Sequence, residues 1–187
     1  MSTHTFIATA QRELIPIVAA ELRELGVKSV RETRQGAYFE GTLEEAYRAC
    51  LWLRVANRIW MPLVEADAQD ADALYAALRL VTWLDHVAAD GTLAVNCHLH
   101  RSDLTHSHFA SLKAKDAIVD QVREATGLRP SIDTEYPDLR VRIDIDRNRA
   151  QIGIDLSGSG LHRRGYRKEG FIAPLRETLA ASILLRA

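Results

Sequence analysis

Over residues 1–66 the hydrophobic pattern switches repeatedly between a period of two and a period near 3.6. A chain that does this buries its apolar residues by laying helices against a sheet. Phe6, Ala8 and Ala10 alternate with Thr5, Ile7 and Thr9, which reads as a strand. Leu14, Ile17, Val18, Leu22 and Leu25 then share one helical face, with Pro16 tolerated in the first turn and Gly26 as the stop. Two strands follow, Val27 to Thr33 and Ala37 to Gly41, around a turn at 34–36. Thr42 and Glu45 have capping-box spacing at the head of a second helix, whose expected inner face is Leu43, Ala46, Tyr47, Cys50 and Leu51. Arg58 to Val64 closes the series as a strand. The order β-α-β-β-α-β is ferredoxin-like.

A second unit is expected after a composition shift. Between Glu65 and Asp90 there are six acids and one base, Arg79, and Leu74, Ala77, Leu78 and Val81 keep helical spacing among them. The acids read as a solvated face, with no catalytic role. Leu93, Val95, Cys97 and Leu99 form the apolar phase of a strand. A long helix from about His108 to Thr126 is expected to turn Phe109, Leu112, Ile118, Val119 and Val122 inward, ending at Gly127. Leu139 to Asp146 and Ile152 to Leu156 then make a hairpin around 147–149. Pro174 opens a last helix with Leu175, Leu179 and Ile183 in phase, which carries no stop signal and suggests a chain cut from something longer.

Charge decides where a polyanion could bind. Twenty-four Lys and Arg against 25 Asp and Glu leave a net charge of -1, so such binding must come from a local patch and not from the whole-molecule field. One segment supplies it. From His162 to Lys168, Arg163, Arg164, Arg167 and Lys168 surround Gly165 with His162 and Tyr166, and no acid comes before Glu169. Arginine forks match phosphate oxygens, glycine lets backbone lie close to a ligand, and Tyr offers a stacking face. Lys113 and Lys115 could extend a phosphate-binding face, together with Arg101, although two residues apart they do not share one helical face.

Other chemistries find less. Gly158 and Gly160 follow a strand, but position 163 is Arg where a dinucleotide fingerprint needs Gly, and a basic loop follows instead of a helix. His98 and His100, repeated by His106 and His108, could hold a metal if a third ligand converged; their placement in the polar phase of a strand and at a polar helix start argues for none. Cys50 and Cys97 lack companions at metal or disulfide spacing, and no signal peptide or run of about 18 apolar residues is present, so a cytoplasmic location is expected.

Three blocks in order, Leu112-Lys-Ala-Lys-Asp-Ala-Ile-Val-Asp120, Ser157-Gly-Ser-Gly-Leu-His-Arg-Arg-Gly-Tyr-Arg167 and Ala173-Pro-Leu-Arg-Glu-Thr-Leu-Ala-Ala181, resemble the N-terminal half of the bacterial 23S ribosomal RNA guanine-N2 methyltransferases. The likeness also runs through residues 9–14 and 36–41. It implies an α+β chain: a ferredoxin-like domain at 1–66, an α/β THUMP RNA-binding domain at 67–170, and at 171–187 the first helix of a missing Rossmann-like domain that uses S-adenosylmethionine. It also implies 23S ribosomal RNA as the partner, with His162, Arg163, Arg164, Tyr166, Arg167, Lys168, Lys113 and Lys115 as RNA contacts. The family's Asn/Asp-Pro-Pro-aromatic motif is absent, since none of the five prolines is adjacent to another, and so is its cofactor glycine motif. No catalytic, cofactor-binding or metal residue is therefore expected here, and the chain should bind RNA without catalysing. The alternatives are the RNA-binding half of a transfer-RNA modifying enzyme, or a metal-dependent enzyme using His98 and His100.

Overall fold

The computed structural model describes residues 2–165 and 175–186. They divide into two compact units, 1–61 with 156–187, and 62–155. This differs from the expected boundaries at 66 and 170, because the segment after residue 155 is held by the first unit. Leu156 N–H donates to Ile59 O at 2.9 Å, and Leu161 N–H to Asn57 O at 2.9 Å.

In the first unit, β1 (His4–Thr9), α1 (Ile15–Glu24), β2 (Ser29–Glu32), β3 (Ala37–Gly41), α2 (Leu43–Trp52) and the start of β4 (Arg58–Asp67) follow the expected order. The strands lie β2-β3-β1-β4, each antiparallel to its neighbour. Phe6 pairs in register with Phe39, and their rings pack 5.2 Å apart; Ile7, Val18, Leu22, Ile59 and Trp60 are buried as well. Gly26, at φ +88°, ends α1: its N–H reaches Arg23 O and that of Val27 reaches Leu22 O, closing the last turn as a left-handed residue allows. Glu21 is buried, its carboxylate satisfied by Arg54 Nε at 2.8 Å and by the N–H groups of Arg54 and Val55.

The capping box is formed on both sides. Glu45 N–H donates to Thr42 Oγ1 at 3.2 Å and Thr42 N–H to Glu45 Oε2 at 2.7 Å. The backbone hydrogen bond from Thr42, then its hydroxyl, hold the Glu45 carboxyl below its ordinary value. A depressed carboxyl contributes stability above the unfolded-state pKa, and that contribution is lost as pH falls through the folded one. Thr42→Ala should cost about 1 kcal/mol at pH 7. Urea titrations at pH 7 and at strongly acidic pH should show the gap to wild type narrowing in acid.

In the second unit, α3 (Ala71–Leu78), β5 (Thr92–His100), α4 (Ser107–Thr126), β6 (Ser131–Ile132), β7 (Leu139–Asp146) and β8 (Arg149–Asp155) follow the end of β4, in strand order β4-β8-β7-β5-β6. β5 runs parallel to β7 and β6, while β7 and β8 form an antiparallel hairpin. Its two-residue turn is Arg147-Asn148, both at positive φ, which suits the twist of the paired strands. Asp70 caps α3, accepting from the N–H groups of Asp72 and Ala73. Gly127 closes α4 in the left-handed conformation.

α2 and the first half of α4 pack by small residues. α2 buries Ala46, Ala49 and Cys50 and leaves Leu43, Tyr47 and Leu51 exposed; α4 buries Ala110, Ala114 and Ala117 with Ile118, Val119 and Val122, leaving Phe109 and Leu112 exposed. α5 (Glu177–Leu184) likewise buries Thr178 and Ser182, with Leu175 and Ile183 exposed; Pro174 lies outside the described residues. Among the described residues no helix is long and apolar enough to cross a membrane.

Candidate nucleic-acid interface

The basic segment follows β8 and is tethered to the start of β4 in the first unit. Ser157 Oγ accepts from Ile59 N–H at 2.6 Å and donates to Ile59 O at 3.2 Å, and Arg58 donates to Gly158 O at 3.3 Å. Gly160 makes room for the His162 ring, which would have to swing away from any larger residue there. A Cβ there would lie 2.6 Å from Cε1 of His162, so the imidazole occupies the space a side chain would need. Burial, with Arg176 and Arg163 nearby, lowers the His162 pKa and favours the neutral ring.

The two arginines of the described loop do different things. Arg163 is exposed, its N–H closing a turn onto Gly160 O at 2.8 Å. Arg164 turns back: its guanidinium donates to Cys50 O and Leu51 O at 3.0 Å each and to Leu53 O at 2.6 Å, capping the C-terminal end of α2. Those carbonyls lack helical partners, and a cation is favoured there by the helix dipole. Tyr166, Arg167 and Lys168 lie outside the described residues.

Lys113 and Lys115 do not meet. Lys113 Nζ lies 3.1 Å from Asp72 Oδ1 and 5.2 Å from the centre of the Tyr75 ring. Lys115, ion-paired with its neighbour Asp116, lines a groove of about 490 Å³ in the second unit. Asn96 and His98 from β5, His108, Ser111 and Leu112 from α4, and Ile132 from β6 share that groove. In the sequence these histidines stand only as the polar phase of a strand and a helix start. The short β6 that brings Ile132 to them has too little pattern to announce itself. His98 and His100 share the exposed phase of β5, and among the described residues no group of three His, Cys, Asp or Glu could hold a metal.

The other large cavity, about 660 Å³ in the first unit, is lined by Glu21, Glu24 and Glu177 against Arg54 and Arg164, with exposed Trp52. More carboxylates than cations line it, which disfavours phosphate. S-adenosylmethionine finds no cradle among the described residues: Gly158–Gly160 runs on into a turn at 161–162 and not into a helix, so no residue is assigned to that cofactor.

Comparison with known proteins accounts for both units. Residues 5–60 match the RlmL ferredoxin-like domain and residues 68–155 the THUMP domain. The chain is 56% identical over 182 residues to a ribosomal RNA large subunit methyltransferase K/L of Syntrophotalea carbinolica, and 49% identical over 185 residues to the protein of that name from Methylococcus capsulatus. These alignments cover 97% and 99% of this chain but 26% and 25% of the relatives, so the chain spans about a quarter of their length. Among solved structures, a Listeria monocytogenes protein named as a predicted N6-adenine-specific DNA methylase superposes with a TM-score of 0.86 at 30% identity, over the whole of this chain and 49% of its own. SMU.472, solved in complex with SAH, superposes with the same TM-score at 26% identity, over the whole of this chain and 49% of its own. The chain thus carries an RlmL ferredoxin-like domain at residues 5–60 followed by a THUMP domain at residues 68–155.

Proposed function

We propose that this chain is the RNA-binding and substrate-positioning part of an S-adenosylmethionine-dependent methyltransferase acting on guanine N2 of 23S ribosomal RNA. The observation that carries the reading is the tethered basic loop, which follows a THUMP domain in a chain about half identical to large-subunit ribosomal RNA methyltransferases. Guanine N2 is a weak nucleophile, its lone pair delocalised into the ring, and it is normally paired. Much of the rate can then come from presenting the base in a fixed geometry, and a domain that grips the RNA backbone contributes that. Arg163, Arg167 and Lys168 hold phosphates, His162 and Tyr166 shape or stack the loop, and Lys115, with Lys113 on the other side of α4, adds cations. Arg164 serves the loop indirectly by anchoring it to α2. S-adenosylmethionine belongs to a domain outside this chain.

The test mixes the chain with 23S ribosomal RNA and S-adenosylmethionine carrying a labelled methyl group. Salt-sensitive retention of RNA on a filter is expected, with no label transferred. A chain that retained no RNA at low salt would overturn the reading. Label on the RNA would overturn its non-catalytic part, and tighter binding of transfer RNA would move the substrate to that class.

A further inference from the structure

The side of α2 that the core leaves uncovered runs into the cavity of the first unit. Leu43, Tyr47 and Leu51 stand four residues apart, so they line up along the helix, and all three are exposed, Leu51 at 72%. Leu51 also lines the cavity of about 660 Å³, with Trp52 beside it at 66% exposure. Buried Leu53 and Leu161 and half-buried Leu25 add to the apolar lining. The accessible charge is acidic. Arg54 is committed to buried Glu21 at 2.8 Å and Arg164 to three carbonyls at the end of α2, whereas Glu24 is 72% exposed and 3.9 Å from Arg54. α1 ends at Glu24, so the negative end of its dipole adds to the carboxylate there.

We propose that this groove docks an amphipathic helix of a second protein, one that carries a lysine or arginine beside its apolar residues. The apolar side chains pack on Leu25, Leu51 and Trp52, and the cation meets Glu24, with the face of the Trp52 ring as a further attraction. The occupant is a helix for two reasons. The exposed residues of α2 follow a helical spacing, and among the described residues that line the cavity none belongs to a strand whose edge an extended peptide could pair with. It is cationic because Glu24 and the end of α1 favour positive charge, and the same arrangement turns phosphate away. A helix that packs small residues inward and leaves its larger apolar ones in water forgoes burial that a partner restores. The inference is independent of the RNA-binding function proposed above, since of the basic loop only Leu161 and Arg164 line the groove, and Arg164 is held by α2.

Trp52 supplies the readout, since the other two tryptophans, Trp60 and Trp83, are buried. The chain is titrated with two synthetic helical peptides free of tryptophan, both with leucines along one face, flanked by lysines in one and by glutamates in the other. The lysine peptide should shift Trp52 emission to the blue and saturate, and the glutamate peptide should bind about ten-fold more weakly, because like charges brought together across an interface are costly. Glu24→Lys should reverse that preference, and Leu51→Ser should weaken the lysine peptide about ten-fold. Both side chains are exposed, and circular dichroism checks that each variant is folded. No shift with the lysine peptide at millimolar concentration overturns the proposal. Equal binding of both peptides by wild type and Glu24→Lys overturns it too, because the surface is then only adhesive. A blue shift that grows with the concentration of the chain alone gives the groove to a second copy, and one produced by added RNA gives it to RNA; either result also overturns the proposal.

Discussion

Replacing Trp83 by alanine is expected to destabilise the second unit by about 3–5 kcal/mol, a large part of what holds an ordinary domain together. Trp83 is fully buried and joins α3 to α4. Its indole N–H donates to Leu78 O at 2.8 Å, and its backbone N–H to Gln121 Oε1 at 2.9 Å, while Gln121 Nε2 reaches back to Arg79 O. Truncation would open a cavity in the core cluster that holds Leu74, Leu78 and Ile118 and remove one of the two donors to Leu78 O, which keeps the Val81 N–H at 3.3 Å. Trp83→Phe should cost less, keeping much of the volume while losing the indole hydrogen bond. Leu84, the next residue and 38% exposed, supplies the control: Leu84→Ala should cost under about 1 kcal/mol. Urea unfolding followed by circular dichroism checks all three, and equal destabilisation by Trp83→Ala and Leu84→Ala would show that Trp83 is no keystone.

The succession of elements along the chain and three of the helix ends were legible because each rests on local chemistry, whereas the order of strands in the sheet is set by pairing between distant segments. Thr42 with Glu45, Gly26 and Gly127 announce helix ends through hydrogen bonds a few residues long, and alternation over 139–146 needs only the pleat. Which face of a helix turns inward was harder to read. Ile118, Val119 and Val122 of α4 face inward as expected, but in place of Phe109 and Leu112 the first half of the helix packs through Ala110, Ala114 and Ala117. A face of alanines lets a helix approach its neighbours closely, and closeness depends on the partner surface, which no single helix encodes. The same holds for Ala46 and Ala49 in α2 and for Thr178 and Ser182 in α5.

Charge was legible by amount and not by partner. The acids of 65–90 are tied to particular places: Asp67 and Glu65 face Arg149, Asp70 caps α3, and Asp72 holds Lys113. Lys113, which the sequence offers as a phosphate ligand, also pairs with Asp72 at the head of α3 in the fold, a partner its spacing did not announce. Arg164 is the parallel case in the loop, where two adjacent arginines of identical chemistry differ only in which one meets the unfilled carbonyls of α2. The groove along β5 was invisible for a related reason, since its members come from residues 95–98, 107–115 and 132–134 and share no spacing.

That difference between the arginines makes the sharpest test of the loop. Reversing Arg163, Arg167 and Lys168 to glutamate should leave stability near wild type and weaken RNA binding by roughly a hundred-fold or more at moderate salt. The slope of log affinity against log salt should flatten by about 0.7–0.9 for each phosphate left without its cation, or by about two to three in all, because fewer counterions are released on binding. Arg164→Ala should do the reverse. It strips donors from three carbonyls at the end of α2 and should cost roughly 1–3 kcal/mol in urea unfolding, toward the lower figure because the side chain is exposed. Its salt slope should match wild type under conditions where it is folded. A flattened slope for Arg164→Ala at full stability would make Arg164 an RNA ligand, and an unchanged slope for the triple reversal would remove the loop from the interface altogether.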